Sequence, residues 1–506
     1  MIRLLLLAMA LATPAVPALA DARPPGTPVA RRVAEPPPAK PTSSANLLAR
    51  ARADAAPAPV PQVAPLELAE VLASARFHAP QVLEALARVR GAEGRVLSTE
   101  GAFDTIFSAE VDTRLTGFYS GASAGVRVVQ PLATNGGNFY AGYDVSRGTF
   151  PSYEGSSNTA RFGRLTAGGV FSLLRDRLID ERRLARQLAE ADVELAETDQ
   201  LLVAIGVQAR SVQAYNNWVI AGQRLQVFRD LLTLALDRQA GLRRQVEEGL
   251  RPAILLTENE QNILRRQTLV VQAQQQLDVA ATTLSLFLRD ANGLPVLPTA
   301  DRLPPRLGDP MPLPIDPSGL INRRPDLRVI DIRVAQARQK LLQDRNLLRP
   351  KLDVKGEINQ YVGDAGLAGR PFTGTETKVG IALSLPLQQR VARGRIAQTT
   401  AEIDAFQQRR RQLEDQIGAD IQALSITAAQ SRRLLGLAID EQDRAMTMAS
   451  AERRRFAAGA SDFFLVNLRE EAAADAQVRR LDAAFRQIVA HADLAAATAD
   501  LDALGL

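Results

Sequence analysis

Apolar side chains recur along this chain in two rhythms. The first is a four-three spacing: Leu184, Leu188, Ala191, Leu195, Thr198, Leu202, Ile205, Ala209 and Val212. It slips over 216–222 and resumes with Leu225, Phe228, Leu232, Ala235, Leu242 and Val246. Residues three and four apart share one helix face, and a sustained four-three alternation makes a coiled-coil seam. Many seam positions hold Ala, which lets helices approach closely. The spacing predicts one helix over about 176–248, about 100 Å long at 1.5 Å per residue. A similar helix is predicted over about 389–456, followed by a return helix with Val478, Leu481, Phe485, Ile488 and Ala492 on its seam. A compact soluble domain has little use for helices of that length, whereas a protein crossing a wide aqueous gap does.

The second rhythm has period two. Leu352, Val354, Gly356 and Ile358 alternate with Asp353, Lys355, Glu357 and Asn359, and Val379, Ile381, Leu383 and Leu385 alternate with Lys378, Gly380, Ala382 and Ser384. Earlier in the chain, Thr105, Phe107, Ala109, Val111 and Thr113 alternate with Asp104, Ser108, Glu110, Asp112 and Arg114. One apolar and one charged face over about ten residues suits a membrane barrel strand with lipid outside and water inside. A half-buried strand of a soluble sheet shows the same alternation. On the barrel reading, Asp104, Glu110, Asp112, Asp353, Lys355 and Glu357 face the lumen.

Both rhythms occur twice, in the order helix, strand, strand, long helix, helix. Ala79-Pro80-Gln81-Val82-Leu83 corresponds to Arg324-Pro325-Asp326-Leu327-Arg328, Phe171-Ser172-Leu173 to Leu383-Ser384-Leu385, and Val246-Glu247-Glu248-Gly249 to Phe456-Ala457-Ala458-Gly459. The expected organisation is a first repeat over 66–293, with an enlarged strand hairpin at about 103–174. A Pro-rich linker over 294–317 leads to a second repeat over 318–502, with a plain hairpin at about 350–387. The span from Pro80 to Phe171 is 33 residues longer than that from Pro325 to Leu383, 91 against 58. The surplus, around 121–161, is rich in Gly, Ser, Tyr and Phe and reads either as a long surface loop or as extra β structure. Its aromatics could sit in an interfacial belt.

Composition narrows the function. There are 61 basic and 56 acidic residues in 506, but the charges are interleaved along the helices, so a solvated coiled-coil surface is expected rather than nucleic-acid binding. The absence of Cys rules out a disulfide framework and lipidation at a processed Cys, and two His leave no basis for a His/Cys metal site or a His-based triad. No phosphate loop or nucleophile–base set appears, so neither an enzyme nor a cofactor is expected. Met1-Ile2-Arg3, an apolar run over 4–11 and Ala18-Leu19-Ala20 form a cleavable signal peptide, 1–20. A Pro/Ala-rich leader over 21–65 is expected to be disordered. No later stretch reaches 18 uninterrupted apolar residues, so any membrane span has to be a β-barrel. Four strands per chain are too few to enclose an open lumen, which points to several copies.

The duplicated layout resembles the TolC-like outer-membrane factors. So do Arg323-Arg324-Pro325-Asp326-Leu327, the strand-to-helix passage Gly380-Ile381-Ala382-Leu383-Ser384-Leu385-Pro386-Leu387, and the tip turn Phe456-Ala457-Ala458-Gly459 followed by Leu465. The likeness spans about 66–501. It implies an α+β membrane protein: a trimeric 12-stranded β-barrel, four strands per chain, continued by a long antiparallel coiled-coil α-helical barrel. It also implies a passive exit duct across periplasm and outer membrane, in a tripartite efflux or type I secretion system. The implied partners are two further copies of the chain, a periplasmic adaptor (membrane fusion protein), an inner-membrane pump, outer-membrane lipid, and small-molecule or protein cargo. A periplasmic coiled-coil adaptor or tether is the alternative, but adaptors usually carry one helical hairpin rather than two.

Two sets of site residues follow from the resemblance. The helix after the second tip constricts the channel in such proteins; here Phe464 and Leu468 share a face and Asp462 is the nearby acid, so an apolar gate is expected unless Phe463 and Phe464 only pack the hairpin. Gly249 and Gly459 supply the turns at the hairpin tips. With Leu250 and Ala460 they are the candidate adaptor-docking residues.

Overall fold

The computed structural model describes residues 64–151, 158–312, 324–364 and 374–506. The expected signal peptide and all but the last two residues of the expected leader lie outside the described residues, as does the end of the linker from 313 on.

Helix α1 (Leu68–His78) meets α2 (Pro80–Glu100) at Ala79, which precedes Pro80 and is extended at φ −66°, ψ 125°. Proline forbids the preceding residue a comfortable helical conformation and is itself at home in a first turn. The second half repeats the device: Arg324, at φ −64°, ψ 126°, precedes Pro325 at the start of α5 (Pro325–Asn346). Between these lie β1 (Ile106–Thr113), β2 (Ala122–Pro131), β3 (Asn138–Arg147), β4 (Arg164–Ser172), α3 (Glu181–Glu247) and α4 (Ile254–Leu284). After α5 come β5 (Lys351–Tyr361), β6 (Gly374–Ser384), α6 (Arg390–Ala457) and α7 (Phe463–Ala497).

The six strands form one antiparallel meander, β1-β2-β3-β4-β5-β6. Six strands per chain replace the four expected, and with them the 12-stranded barrel for three copies. The surplus segment supplies the difference. The expected single enlarged hairpin is two hairpins, with β2 paired to β1 and β3 to β4 over seven or more residues each. The Gly-rich composition that left loop and strand open reflects close packing. A Cβ on Gly137 would overlap the Val170 carbonyl oxygen, and one on Gly168 would press into the Tyr140 ring.

The long helices hold 67 and 68 residues, each about 100 Å. α3 begins at Glu181 rather than near 176, because Asp176 has φ +66° and Asp180 caps the helix by accepting from the Arg183 backbone N–H. Beside the sheet the helices neighbour one another in the order α2, α3, α5, α6; beyond it the order is α4, α3, α7, α6. The seam of α3 slips where Tyr215, Trp218, Val219 and Leu225 are buried against Leu66, Val71, Leu277 and Leu284. Here α3 is covered by α1 and α4 and flanked by linker residues Leu303 and Leu307, so more than one stripe is apolar. The described part of the linker forms no α-helix or strand and contains one 3-10 turn at Ala300–Arg302, flanked by extended Thr299 and Leu303.

Candidate functional site

Residues paired across neighbouring strands share a sheet face. One row runs Phe107, Val128, Ala141, Ala167, Ile358 and Thr377; the next runs Gly169, Gly356 and Val379 beside Phe139. This face is apolar and open: Phe107, Val111, Val379, Ile381 and Leu383 are each more than two-thirds exposed. The other face carries Ser108, Arg127, Asp144, Arg164, Thr166, Asn359 and Glu376. Several of its charges are paired. Tyr140 Oη donates to Glu357 at 2.6 Å, and Lys355 lies 3.0 Å from the same carboxylate. Arg164 lies 3.2 Å from Asp144, and Thr166 Oγ1 donates to Asn359 Oδ1 at 2.8 Å. Asp353, Lys355 and Glu357 stand on this polar face of β5, and Glu110 and Asp112 on that of β1. Asp104 lies outside the strands, after a 3-10 turn at Gly101–Phe103.

The turn between β2 and β3 is fixed to the start of α3. Arg183 Nη1 donates to the carbonyls of Thr134, Arg177 and Leu178, and its Nη2 to that of Asp176. Arg182 Nη2 reaches the Gly136 carbonyl at 3.1 Å. Asn135 bonds both backbone groups of Ser172, donating to the carbonyl and accepting from the N–H at 2.9 Å each. Thus a side chain completes the β4 edge where β3 has ended.

At the far ends of the helices the two tips share one geometry. Gly249 and Gly459 have φ +71° and +75°. Leu250 N–H reaches back to the Gln245 carbonyl and Ala460 N–H to that of Arg455, both at 2.8 Å, closing Schellman turns. Asp462 caps α7, accepting from the Leu465 N–H at 2.6 Å. Phe463 is buried against Phe456 and Arg238, while Phe464 is 73% and Leu468 47% exposed. Only the first of the two phenylalanines packs the hairpin.

Sequence reading missed the strongest polar cluster. Glu470 of α7 is fully buried between Arg238 of α3, at 2.5 Å, and Arg266 of α4, at 3.0 Å. Arg266 also donates to the Leu231 carbonyl at 2.6 Å, and Arg238 and Asn262 share the Asn467 side chain. Burial pulls the Arg266 guanidinium below its ordinary pKa, against the pull of Glu470. Since charged residues fill every helix surface here, nothing along the sequence distinguishes these three from solvated ones. Among the described residues no group of His, Cys, Asp or Glu could hold a metal ion, and no helix is long and apolar enough to cross a membrane.

Residues 317–500 match the family model for outer membrane efflux proteins. No curated protein matches by sequence. Among solved structures, the chain is similar to the CmeC outer membrane channel of Campylobacter jejuni, with 12% identity, 85% of each chain covered and a TM-score of 0.59. The open-state MtrE outer membrane channel of Neisseria gonorrhoeae gives 14% identity, 85% of this chain and 88% of that one, and a TM-score of 0.60. The outer membrane protein VceC of Vibrio cholerae gives 14%, 87% and 96%, and 0.58. These likenesses establish a shared fold.

Proposed function

We propose that the chain is the outer-membrane channel subunit of an efflux or secretion assembly, a passive duct that performs no covalent chemistry. The observation that carries this reading is a sheet with one bare apolar face and one ion-paired polar face, mounted on helices about 100 Å long. In a membrane, such a sheet has to close so that no backbone edge meets lipid. β1 and β6 are the two edges, every residue of β1 is exposed, and each has a neighbouring strand on one side only among the described residues. Joining β6 of one copy to β1 of the next closes a ring with the apolar face outward. Asp353, Lys355, Glu357, Glu110 and Asp112 then face the lumen.

Three copies form the ring, following the resemblance. The tips at Gly249–Leu250 and Gly459–Ala460 dock a periplasmic adaptor, and an inner-membrane pump supplies the energy. Phe464 and Leu468 turn toward the axis and close the inner end by excluding water. Membrane fractionation with unheated gel electrophoresis tests the assembly, and planar-bilayer recording tests conduction. Heat-resistant trimers in the outer membrane and ion conductance are expected; a soluble periplasmic monomer would sink the proposal.

A further inference from the structure

Four strands stand on helices and two do not. α2 leads into β1, β4 into α3, α5 into β5 and β6 into α6, whereas β2 and β3 continue into no helix. The row of strands and the row of helices α2, α3, α5, α6 keep the same order. Their widths can therefore be compared within one chain, whatever the number of copies. Helices in contact lie about 9 Å apart, so four abreast occupy about 36 Å. Strands about 4.8 Å apart and tilted by about 40° each occupy about 6.3 Å of circumference, so six occupy about 38 Å and four about 25 Å. Six strands match the helical row, and four would narrow it by about a third.

The inserted strands are built as wall. Val128 and Ala141 continue the apolar row between Phe107 and Ala167, while Arg127 and Asp144 continue the polar face. Their turn is held by Asn135, Arg182 and Arg183, and the close approach at Gly137 leaves no room for a side chain.

We infer that the β2–β3 hairpin widens the outer-membrane pore to the circumference of the helical duct, so that the exit passes bulky hydrophilic cargo that a four-strand-per-chain barrel would stop. This deepens the channel reading and rests on it. For the ring of three, opposite backbones lie about 36 Å apart instead of about 24 Å, and side chains leave a bore of about 26 Å instead of about 14 Å.

The chain contains no Cys, so one introduced thiol is a unique reporter. Lys355→Cys places it on the polar face, at the middle of β5. Whole cells are treated from outside with N-ethylmaleimide and with a polyethylene-glycol maleimide about 20 Å across, a size between the two bores. Both reagents should label Lys355→Cys in the full chain. Only the small one should label it when 114–162 are replaced by a short Gly/Ser turn joining β1 to β4. Exclusion of the large reagent from the full chain, or its entry into the shortened one, overturns the widening and leaves the channel reading intact. If the shortened chain fails to assemble, the size cut-off of the full chain decides. Failure of even N-ethylmaleimide to reach Lys355→Cys until cells are broken overturns the channel reading itself.

Discussion

Arg183 and Thr134, 49 positions apart, are joined by a hydrogen bond of 3.0 Å from a guanidinium at the head of α3 to a carbonyl in the β2–β3 turn. The same side chain spans the Asp176, Arg177 and Leu178 carbonyls and pairs with Asp180. It is therefore a joint between a strand turn and a helix start. Arg183→Ala leaves these acceptors short of a donor, and each lost charged hydrogen bond is worth about 2 kcal/mol. The expected result is trimer dissociation at a lower temperature on gels and proteolytic nicking within 132–137, with helix content retained by circular dichroism.

Glu470 holds two arginines in a site where all three are nearly dry. Glu470→Ala strands both cations and should destabilise the helical region by about 3–5 kcal/mol, the range for breaking a buried pair from one side. Exchanging the set for apolar residues, Glu470→Leu with Arg266→Met and Arg238→Leu, should recover much of that loss. Thermal unfolding followed at a helix signal separates the two variants. Equal destabilisation would show that the cluster is held by something other than its charges.

The two tip glycines meet nothing within 4 Å of an added Cβ, so Gly249→Ala and Gly459→Ala carry only the strain of a left-handed backbone, about 1–2 kcal/mol each. Asn tolerates that conformation better and should be milder at both positions. Loss of adaptor cross-linking in both Ala and Asn variants, despite normal assembly, would assign the tips a docking role beyond their turn geometry.

Phe464→Ala with Leu468→Ala should raise single-channel conductance and sensitivity to large antibiotics, because Phe464 is largely and Leu468 about half exposed and neither belongs to the buried core. Asp462→Ala should act differently. It removes the cap of α7, costing about 1 kcal/mol of stability, and should leave conductance near that of the parent. Unchanged conductance in the double variant would place the constriction elsewhere.

Burial raises the pKa of Asp493 above its ordinary value, partly offset by Gln213, which donates to it at 2.9 Å. A carboxyl whose folded pKa is raised binds protons more readily in the folded state. Its penalty is present at neutral pH and relieved as pH falls through the folded pKa. Asp493→Asn should thus raise the melting temperature at pH 7, with the advantage shrinking as pH falls into the carboxylate range.

The duplication, the long helices and the strands β1, β5 and β6 are legible in the sequence because each writes a periodic pattern over eight or more residues, and both tips are legible because a glycine ends each long helix. The helix-start prolines Pro80 and Pro325 are equally plain. β2 and β3 are not, since their faces are mixed: Gln130 falls opposite Phe139 on the apolar side, and Val129 opposite Tyr140 on the polar side, which blurs the alternation. The seam slip around Trp218 marks a place where several neighbours converge, which one-dimensional spacing reports only as an irregularity. Glu470, Arg266 and Arg238 were invisible because their meaning is purely spatial: they come from three helices and up to 232 positions apart.

The hairpin inserted in one half has a stoichiometric consequence. The tips at Gly249 and Gly459 are near copies of one another, so a partner reading that turn meets two equivalent places on every chain. The outer rim offers no such pairing, because β1–β2 and β3–β4 have one counterpart, β5–β6, and it lacks the insert. A surface ligand that recognises the enlarged rim, such as an antibody or a phage, meets one place per chain. The same molecule thus presents a doubled periodicity inward and a single one outward.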